Sequence, residues 1–379
     1  MRVALVNLTT TTKVGGVETF VWELAGRLAE HGVAVTVIGG KTAVPPVRQP
    51  LPNVEIITAP YIDRATLRRV PLLGRRYGLT KLLERLSFGL RARRAIERGG
   101  FDIVHIHKPF DLPLAAWVRA RTGARIVYSS HGRDFFPADR RFAAAVSVFT
   151  ACSAYNAGEV RERYRRDARV IFNGIDTEQF APQPPDNAWR AAHAAGDAPL
   201  VLWVGRLERW KGTIDVLRAI ALLDRDCPAH LAVVGAGPEI GRLRAAAQSL
   251  GIHDRVHFLG TCDHAALPRI YSTCDLVVGT SFANETFGMA MAEASACARP
   301  VIATRFGGFP EVVRDNETGL LVPPRDPHAL ATAIRMLMCD PARGRAMGDA
   351  GRAHIVANFA WSVVTERVLR VYREALDED

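Results

Sequence analysis

Short apolar runs recur along the chain. Each is followed by a stretch in which apolar residues return every three or four positions. Val3–Asn7 is β-branched and predicts a strand. Gly15-Gly16 follows, then a helix from about Val17 to Glu30 that ends at Gly32. Ala34–Ile38, Ile103–His107 and Ile126–Ser130 read as buried strands of continuous apolar character. The pattern restarts with Leu200–Val204, Gly205 and a helix from about Gly212 to Leu223. Leu231–Val234 then runs into Gly235-Ala236-Gly237-Pro238, and Asp275–Val278 and Pro300–Ala303 read as further strands. Strands alternating with helices imply parallel sheets covered on both faces. Between the two series, Pro182-Gln183-Pro184-Pro185-Asp186 is too proline-rich for an element interior and predicts a linker. The pattern therefore predicts two doubly wound α/β domains, 1–181 and 182–361. A last helix over 362–379, apolar at 363, 364, 368, 371 and 372, is expected to pack back on the first domain. Ligands of such sheets bind at the C-terminal ends of the strands, so the expected site is a cleft between two facing domains.

Length agrees with this division, since 379 residues suit two ordinary cores. The six cysteines, at 152, 227, 262, 274, 297 and 339, include no Cys-x-x-Cys pair. That pattern signals neither a zinc ribbon nor a redox pair and suits a reducing compartment. The apolar start, Met1 to Leu8, is too short for a secretory leader, and no run reaches the length of a membrane span. These features lead to the expectation of a cytoplasmic protein. Charge adds an asymmetry. Residues 1–176 carry 28 Lys and Arg against 15 Asp and Glu, whereas 177–379 carry 21 against 24. The basic excess belongs to the first half, where it is either a solvated arginine-rich surface or a face for an anionic partner.

The strongest chemical signal is Ser281-Phe282-Ala283-Asn284-Glu285-Thr286-Phe287-Gly288-Met289-Ala290-Met291-Ala292-Glu293-Ala294. A helix starting near Thr286 would place its carboxylates about two turns apart, Glu285 at the mouth and Glu293 deeper. Glu293 in an Ala/Met-rich helix needs polar partners, which ribose or sugar hydroxyls can supply. Arg206 and Lys211, after the first strand of the second domain, suit phosphate oxygens. Gly15-Gly16 before a helix lets backbone N–H groups approach an anion or a sugar. His105 and His107 share a face of their strand, and His131 follows the next strand. No carboxylate pattern near these histidines signals a metal site. Asp224-Arg225-Asp226 mimics a metal-binding Asp-x-Asp, but its place before Cys227-Pro228 reads as a solvated turn. Gly235-Ala236-Gly237-Pro238 imitates a dinucleotide fingerprint, but a lone Gly-x-Gly is weak, so Gly235 and Gly237 are expected only to shape the floor of a nucleotide site, and backbone near Phe258–Thr261, around Leu259, to meet the base.

These pieces stand together with Arg299-Pro300-Val301-Ile302-Ala303, Gly307-Gly308-Phe309-Pro310-Glu311-Val312-Val313, Thr318-Gly319-Leu320-Leu321-Val322, Asp102–His107, Asn173-Gly174-Ile175-Asp176 with Phe180, and Gly205-Arg206-Leu207 with Lys211-Gly212. In this order the chain resembles family 4 of the retaining glycosyltransferases over nearly its whole length. The resemblance implies the GT-B fold, two facing Rossmann-like domains. It implies transfer of a sugar from a nucleotide-diphosphate donor, expected to be a UDP-sugar, to an acceptor hydroxyl, expected on a lipid-linked or cell-envelope glycan. Glu285 and His131 become catalytic, and His107 lines the cleft wall. Gly15, Gly16, Arg206, Lys211, Phe287, Gly288 and Glu293 become donor-binding. The implied mechanism is front-side substitution, with no side-chain nucleophile, metal or other cofactor. Ala298 and Asn316 depart from glycines common in the family, and Thr280 departs from a proline. A nucleotide-sugar epimerase is the alternative within the fold. A nucleic-acid-binding protein is disfavoured, because no aromatic-interleaved basic stripe or reading helix is present.

The segment Arg64–Arg98 holds 11 Lys and Arg against two acidic residues. Its arginines 68, 69, 75 and 76 alternate with Leu67, Val70, Leu72, Leu73 and Tyr77. From Leu79 a helix is expected, with Leu79, Leu82, Leu83, Leu86 and Leu90 facing the sheet. The segment suits an anionic membrane surface, so the expectation extends to peripheral association with the inner face of a membrane.

Overall fold

The structure, a computed structural model, describes residues 1–13, 15–45, 51–70, 76–194, 198–223 and 228–377. The chain divides into two compact units, Met1–Phe172 with Trp361–Asp379, and Asn173–Ala360. The break precedes the proline-rich stretch. Residues 183–186 are instead tied into the second unit, where the backbone N–H groups of Gln183 and Asp186 donate to Ser272 Oγ and Thr273 Oγ1.

In the first unit the strands are β1 (Arg2–Val6), β2 (Ala34–Gly40), β3 (Val54–Ala59), β4 (Ile103–Ile106), β5 (Arg125–Ser130), β6 (Val148–Ala151) and β7 (Ala168–Val170). They form one parallel sheet in the order β3-β2-β1-β4-β5-β6-β7. Strands β4 and β6 are buried along their whole length, as a sheet covered on both faces requires. Chain order reverses between β1 and β4, and such a switch point opens a crevice at the strands' C-terminal ends.

The helix Trp361–Asp377 belongs to this unit. It buries Trp361, Val364, Val368, Val371, Tyr372 and Ala375 in one core with Phe20, Val21 and Leu24 of the helix Gly16–Glu30. Helix Tyr77–Gly99 corrects one expectation. Its buried face carries Phe88, Ala92 and Ile96 rather than the leucine stripe, and Leu90 is 62% exposed. The buried face also admits Arg85, because Asp111 neutralises it there at 3.0 Å. Periodicity alone scores an arginine as solvent-facing.

The second unit repeats the architecture with β8 (Leu200–Val204), β9 (His230–Val234), β10 (Val256–Gly260), β11 (Leu276–Gly279), β12 (Val301–Thr304) and β13 (Leu320–Val322), ordered β10-β9-β8-β11-β12-β13 and parallel throughout. Its switch point lies between β8 and β11. Both departures from glycines common in the family have a backbone consequence. Ala298 and Asn316 sit at φ of 55° and 62°, the left-handed region that glycine enters without steric cost.

Candidate active site

In the second unit the segment after β11 corrects the reading of the glutamate pair. The helix runs Met289–Ala296, so Glu285 lies in the preceding loop and only Glu293 is helical. Gly288, at φ 106°, precedes the helix as its cap, and a side chain there would collide with the Phe309 ring. The two carboxylates therefore belong to different environments and do not stack on one helix face.

Glu285 is 8% exposed. Its Oε2 accepts from Lys211 Nζ at 2.7 Å and from Ser281 Oγ at 2.7 Å. The sequence brings these groups together through Gly212, at φ 70°, where a Cβ would stand 2.2 Å from the Thr280 carbonyl oxygen. Only glycine lets the Lys211 turn press so close to the end of β11. Thr280 then closes the contact by donating from Oγ1 to the Lys211 carbonyl at 2.9 Å. Replacing the family's proline with threonine thus adds a bond that ties the two loops. The Phe282 N–H donates to the Trp210 carbonyl at 2.9 Å. Arg206 is exposed, with its guanidinium 5.9 Å from the Trp210 ring, and Lys211 Nζ lies 4.7 Å from the same ring. Asp215 pairs with Arg218, not with Arg206 or Lys211.

Gly235 and Gly237 lie beneath the Arg206 loop. A Cβ on Gly235 would fall 1.7 Å from the Gly205 carbonyl oxygen, and one on Gly237 2.5 Å from that of Leu207. Leu259 stands near the end of β10 and is half-buried. The Phe287 side chain is buried against Phe359, so it offers a ligand only its backbone. Glu293, 5% exposed, accepts from Tyr271 Oη at 2.9 Å through Oε2, while His264 Nε2 lies 3.0 Å from Oε1. The partners anticipated from a ligand's hydroxyls are already supplied by protein. Tyr271 and His264 escape a sequence reading. Ser281 stands only four residues before Glu285, but Tyr271 and His264 lie 22 and 29 residues before Glu293 with no local signal.

In the first unit Gly15 caps the helix Gly16–Glu30, and Glu18 lies in the first turn, buried and accepting from Thr9 Oγ1. That carboxylate complements the positive helix end, so the glycines offer N–H groups with much of the residual charge already met. Asn7, at the end of β1, accepts at Oδ1 from the buried Arg85 at 3.0 Å. His107 follows β4, and its Nδ1 lies 3.3 Å from Nε2 of His131, which follows β5. The His105 and His107 rings are 4.2 Å apart, as their shared strand face requires. Burial pushes His105 down to about 3 and holds His107 well below the usual imidazole range, so both are neutral. His105 bonds Tyr372 Oη at 2.7 Å and Ser129 Oγ at 2.6 Å. Beside them, Lys81 and Lys108 flank Asp134 at 3.0 and 3.1 Å. Burial opposes ionisation of Asp134, but the two ammonium groups outweigh it and hold the carboxyl at about 2. Among the described residues, no cluster of three or more His, Cys, Asp or Glu is arranged to hold a metal ion. Asp224-Arg225-Asp226 lies outside the described residues.

Two parallel sheets with these strand orders, and ligand-type residues at the C-terminal ends of their strands, define a GT-B glycosyltransferase with two Rossmann-like domains. The comparisons agree. Residues 14–179 match the family model described as Glycosyltransferase Family 4, and residues 186–354 match that described as Glycosyl transferases group 1. The chain is 32% identical to D-inositol 3-phosphate glycosyltransferase 1 of Catenulispora acidiphila, over 96% of this chain and 91% of that protein. It is 33% identical to the GDP-mannose-dependent alpha-(1-6)-phosphatidylinositol monomannoside mannosyltransferase of Mycolicibacterium smegmatis, over 76% of this chain and 80% of that one. The sucrose-phosphate synthase structure from Thermosynechococcus elongatus superposes with a TM-score of 0.82 at 25% identity, covering both chains completely. The chain belongs to family 4 of the glycosyltransferases.

Proposed function

We propose that the protein transfers a hexose from a nucleotide-diphosphate sugar to a hydroxyl of a phosphorylated polyol or its lipid-linked form, with retention at the anomeric carbon and without a metal ion. The observation that carries the donor side is the Lys211–Glu285–Ser281 constellation beside the exposed Arg206. Arg206 and Lys211 bind the diphosphate and stabilise the charge that develops as it leaves. Glu285 accepts from a hydroxyl of the transferred sugar and opposes the positive charge growing at its anomeric carbon. Glu293 accepts from the ribose. His131, beside the neutral His107, is assigned to a sugar hydroxyl. The acceptor oxygen attacks the anomeric carbon from the side of the departing diphosphate. As the carbon–oxygen bond to phosphate breaks, the acceptor proton passes to a phosphate oxygen of the leaving group. Support for the acceptor class comes from Lys81 and Lys108, two ammonium groups sharing one carboxylate. It comes also from the names of the relatives, which act on D-inositol 3-phosphate or a phosphatidylinositol monomannoside. Neither relative fixes the nucleotide here. UDP-glucose and GDP-mannose are therefore both tested.

The test is acceptor-dependent release of nucleoside diphosphate, with product mass spectrometry and proton NMR of the new linkage. Release should require an inositol phosphate or phosphatidylinositol acceptor, survive EDTA and give a product with the donor's anomeric configuration. Donor turnover to an isomer without acceptor would make the protein an epimerase. Loss of activity on chelation, restored by manganese, would overturn the metal-free reading.

A further inference from the structure

The buried carboxylate of Glu293 has two partners of opposite character. Tyr271 is fully buried on the helix Leu267–Thr273, and its phenol donates to Oε2. Burial and the neighbouring carboxylate hold that phenol well above its usual range, so it remains a donor at every working pH. His264 reaches Oε1 from the other side, with its side chain 54% exposed. It sits on the three-residue turn His264–Ala266, opened by Asp263, whose side chain accepts from the Ala265 N–H. The Phe180 ring stands 5.1 Å from the imidazole. Tyr271 cannot leave without opening the core. His264 lies on the exposed side of the carboxylate, outside that core.

A ribose diol that binds Glu293 must approach from the solvent side, and His264 holds that side. We propose that His264 occupies the ribose position on Glu293 when no donor is bound, so that donor binding must displace it, whereas Tyr271 positions the carboxylate for the donor. This rests on the reading that Glu293 binds the donor ribose. Protonation sets the strength of the competition. A protonated imidazole turns the His264–Glu293 contact into a charge-assisted bond, so donor affinity falls as the pH is lowered. Groups near the pair include Cys262, Asp263, Tyr271 and Cys297, and Arg352 of the helix Pro341–Phe359 acts on Cys297 and donates to the carbonyls of Phe180 and Ala296. Burial raises both thiols, that of Cys297 to about 12, so neither titrates between pH 5 and 8.

Calorimetry with UDP-glucose and GDP-mannose at pH 7.5 and 5.5 tests this. The diesterified pyrophosphate of both probes keeps its charge across that range. The parent should lose roughly threefold or more in affinity at the lower pH. His264→Ala should bind more tightly than the parent at pH 5.5 and lose the pH dependence. Tyr271→Phe should bind roughly tenfold more weakly at both pH values, about one hydrogen bond to a charged group. A His264→Ala protein that binds no better than the parent at pH 5.5 and keeps the slope overturns the proposal. Equal affinity of the parent for these donors and their 2′,3′-dideoxyribose counterparts would show instead that Glu293 does not read the ribose, and the underlying assignment would fail. Binding of neither donor would overturn that assignment as well.

Discussion

Glu285 shows how one side chain can serve two charges. Lys211 and Ser281 satisfy the same oxygen. A diphosphate would draw Lys211 toward phosphate, leaving Glu285 free to meet a sugar hydroxyl. Glu285→Gln should keep the fold and lower kcat by about 10²-fold or more, because the lost charge counts most in the transition state. Lys211→Ala should weaken nucleoside-diphosphate binding by roughly tenfold or more, a charge-assisted hydrogen bond's worth. It would also leave a carboxylate that is 8% exposed without its cation. The two effects should therefore not add. Rate and affinity measurements on both single variants and the double variant form the check, and simple additivity would contradict the shared geometry. The chemistry-bearing residue types here were legible in the sequence, since Arg206, Lys211, Glu285 and Glu293 stand in recognisable motifs. Their partners were not. Tyr271 reaches Glu293 from a separate helix, and nothing in its local pattern distinguishes it from a core tyrosine.

At the scale of elements, the helix Trp361–Asp377 is fastened to the first sheet by more than its apolar face. The Tyr372 hydroxyl meets His105, which sits one ring contact from His107. Both histidines have folded-state values pushed below the unfolded value of about 6.5. The unfolded chain therefore takes up their protons first as pH falls. Stability from this pair is fully present above about pH 6.5 and declines as pH drops toward the folded values, at about 1.4 kcal/mol per pH unit for each histidine. Urea denaturation at pH 7 and pH 5 should show that loss, and His105→Gln should reduce it by about half. An unchanged pH dependence in the variant would mean that other groups govern acid sensitivity. Periodicity placed this terminal helix well because its apolar stripe is wide and uninterrupted. It misplaced the buried face of Tyr77–Gly99 because two stripes compete there. The one that is buried contains Arg85, whose neutraliser Asp111 comes from a different part of the chain.

Over the whole molecule, the basic excess of the first unit coincides with exposed apolar groups. Leu90 is 62% exposed, Tyr77 56% and Val70 44%, with Arg91, Arg93 and Arg94 following Leu90. Residues 71–75, which include Leu72, Leu73 and Arg75 of the segment expected to meet lipid, lie outside the described residues. Among the described residues no helix is long and apolar enough to cross a membrane. An anionic surface would gain ~1 kcal/mol for each basic residue near it. The protein should float with phosphatidylserine-containing vesicles at low salt and lose that association when Arg68, Arg69, Arg75 and Arg76 are changed to serine, with donor affinity intact. Failure of the parent to float would favour a water-soluble polyol phosphate as acceptor.

The sequence by itself determined the repetition of strand and helix, the parallel sheets and the positions of the residues proposed to meet phosphate and sugar. Each of these follows from local periodicity or from motifs a few residues long. Tertiary structure alone decided where the helix after β11 begins, since a Gly288 cap packed against Phe309 sets it. It also decided which face of Tyr77–Gly99 is buried, and that Glu293 already holds two protein partners. In each case the deciding contact joins residues distant in sequence. Its energy depends on desolvation and close approach, which no local pattern of polar and apolar positions encodes.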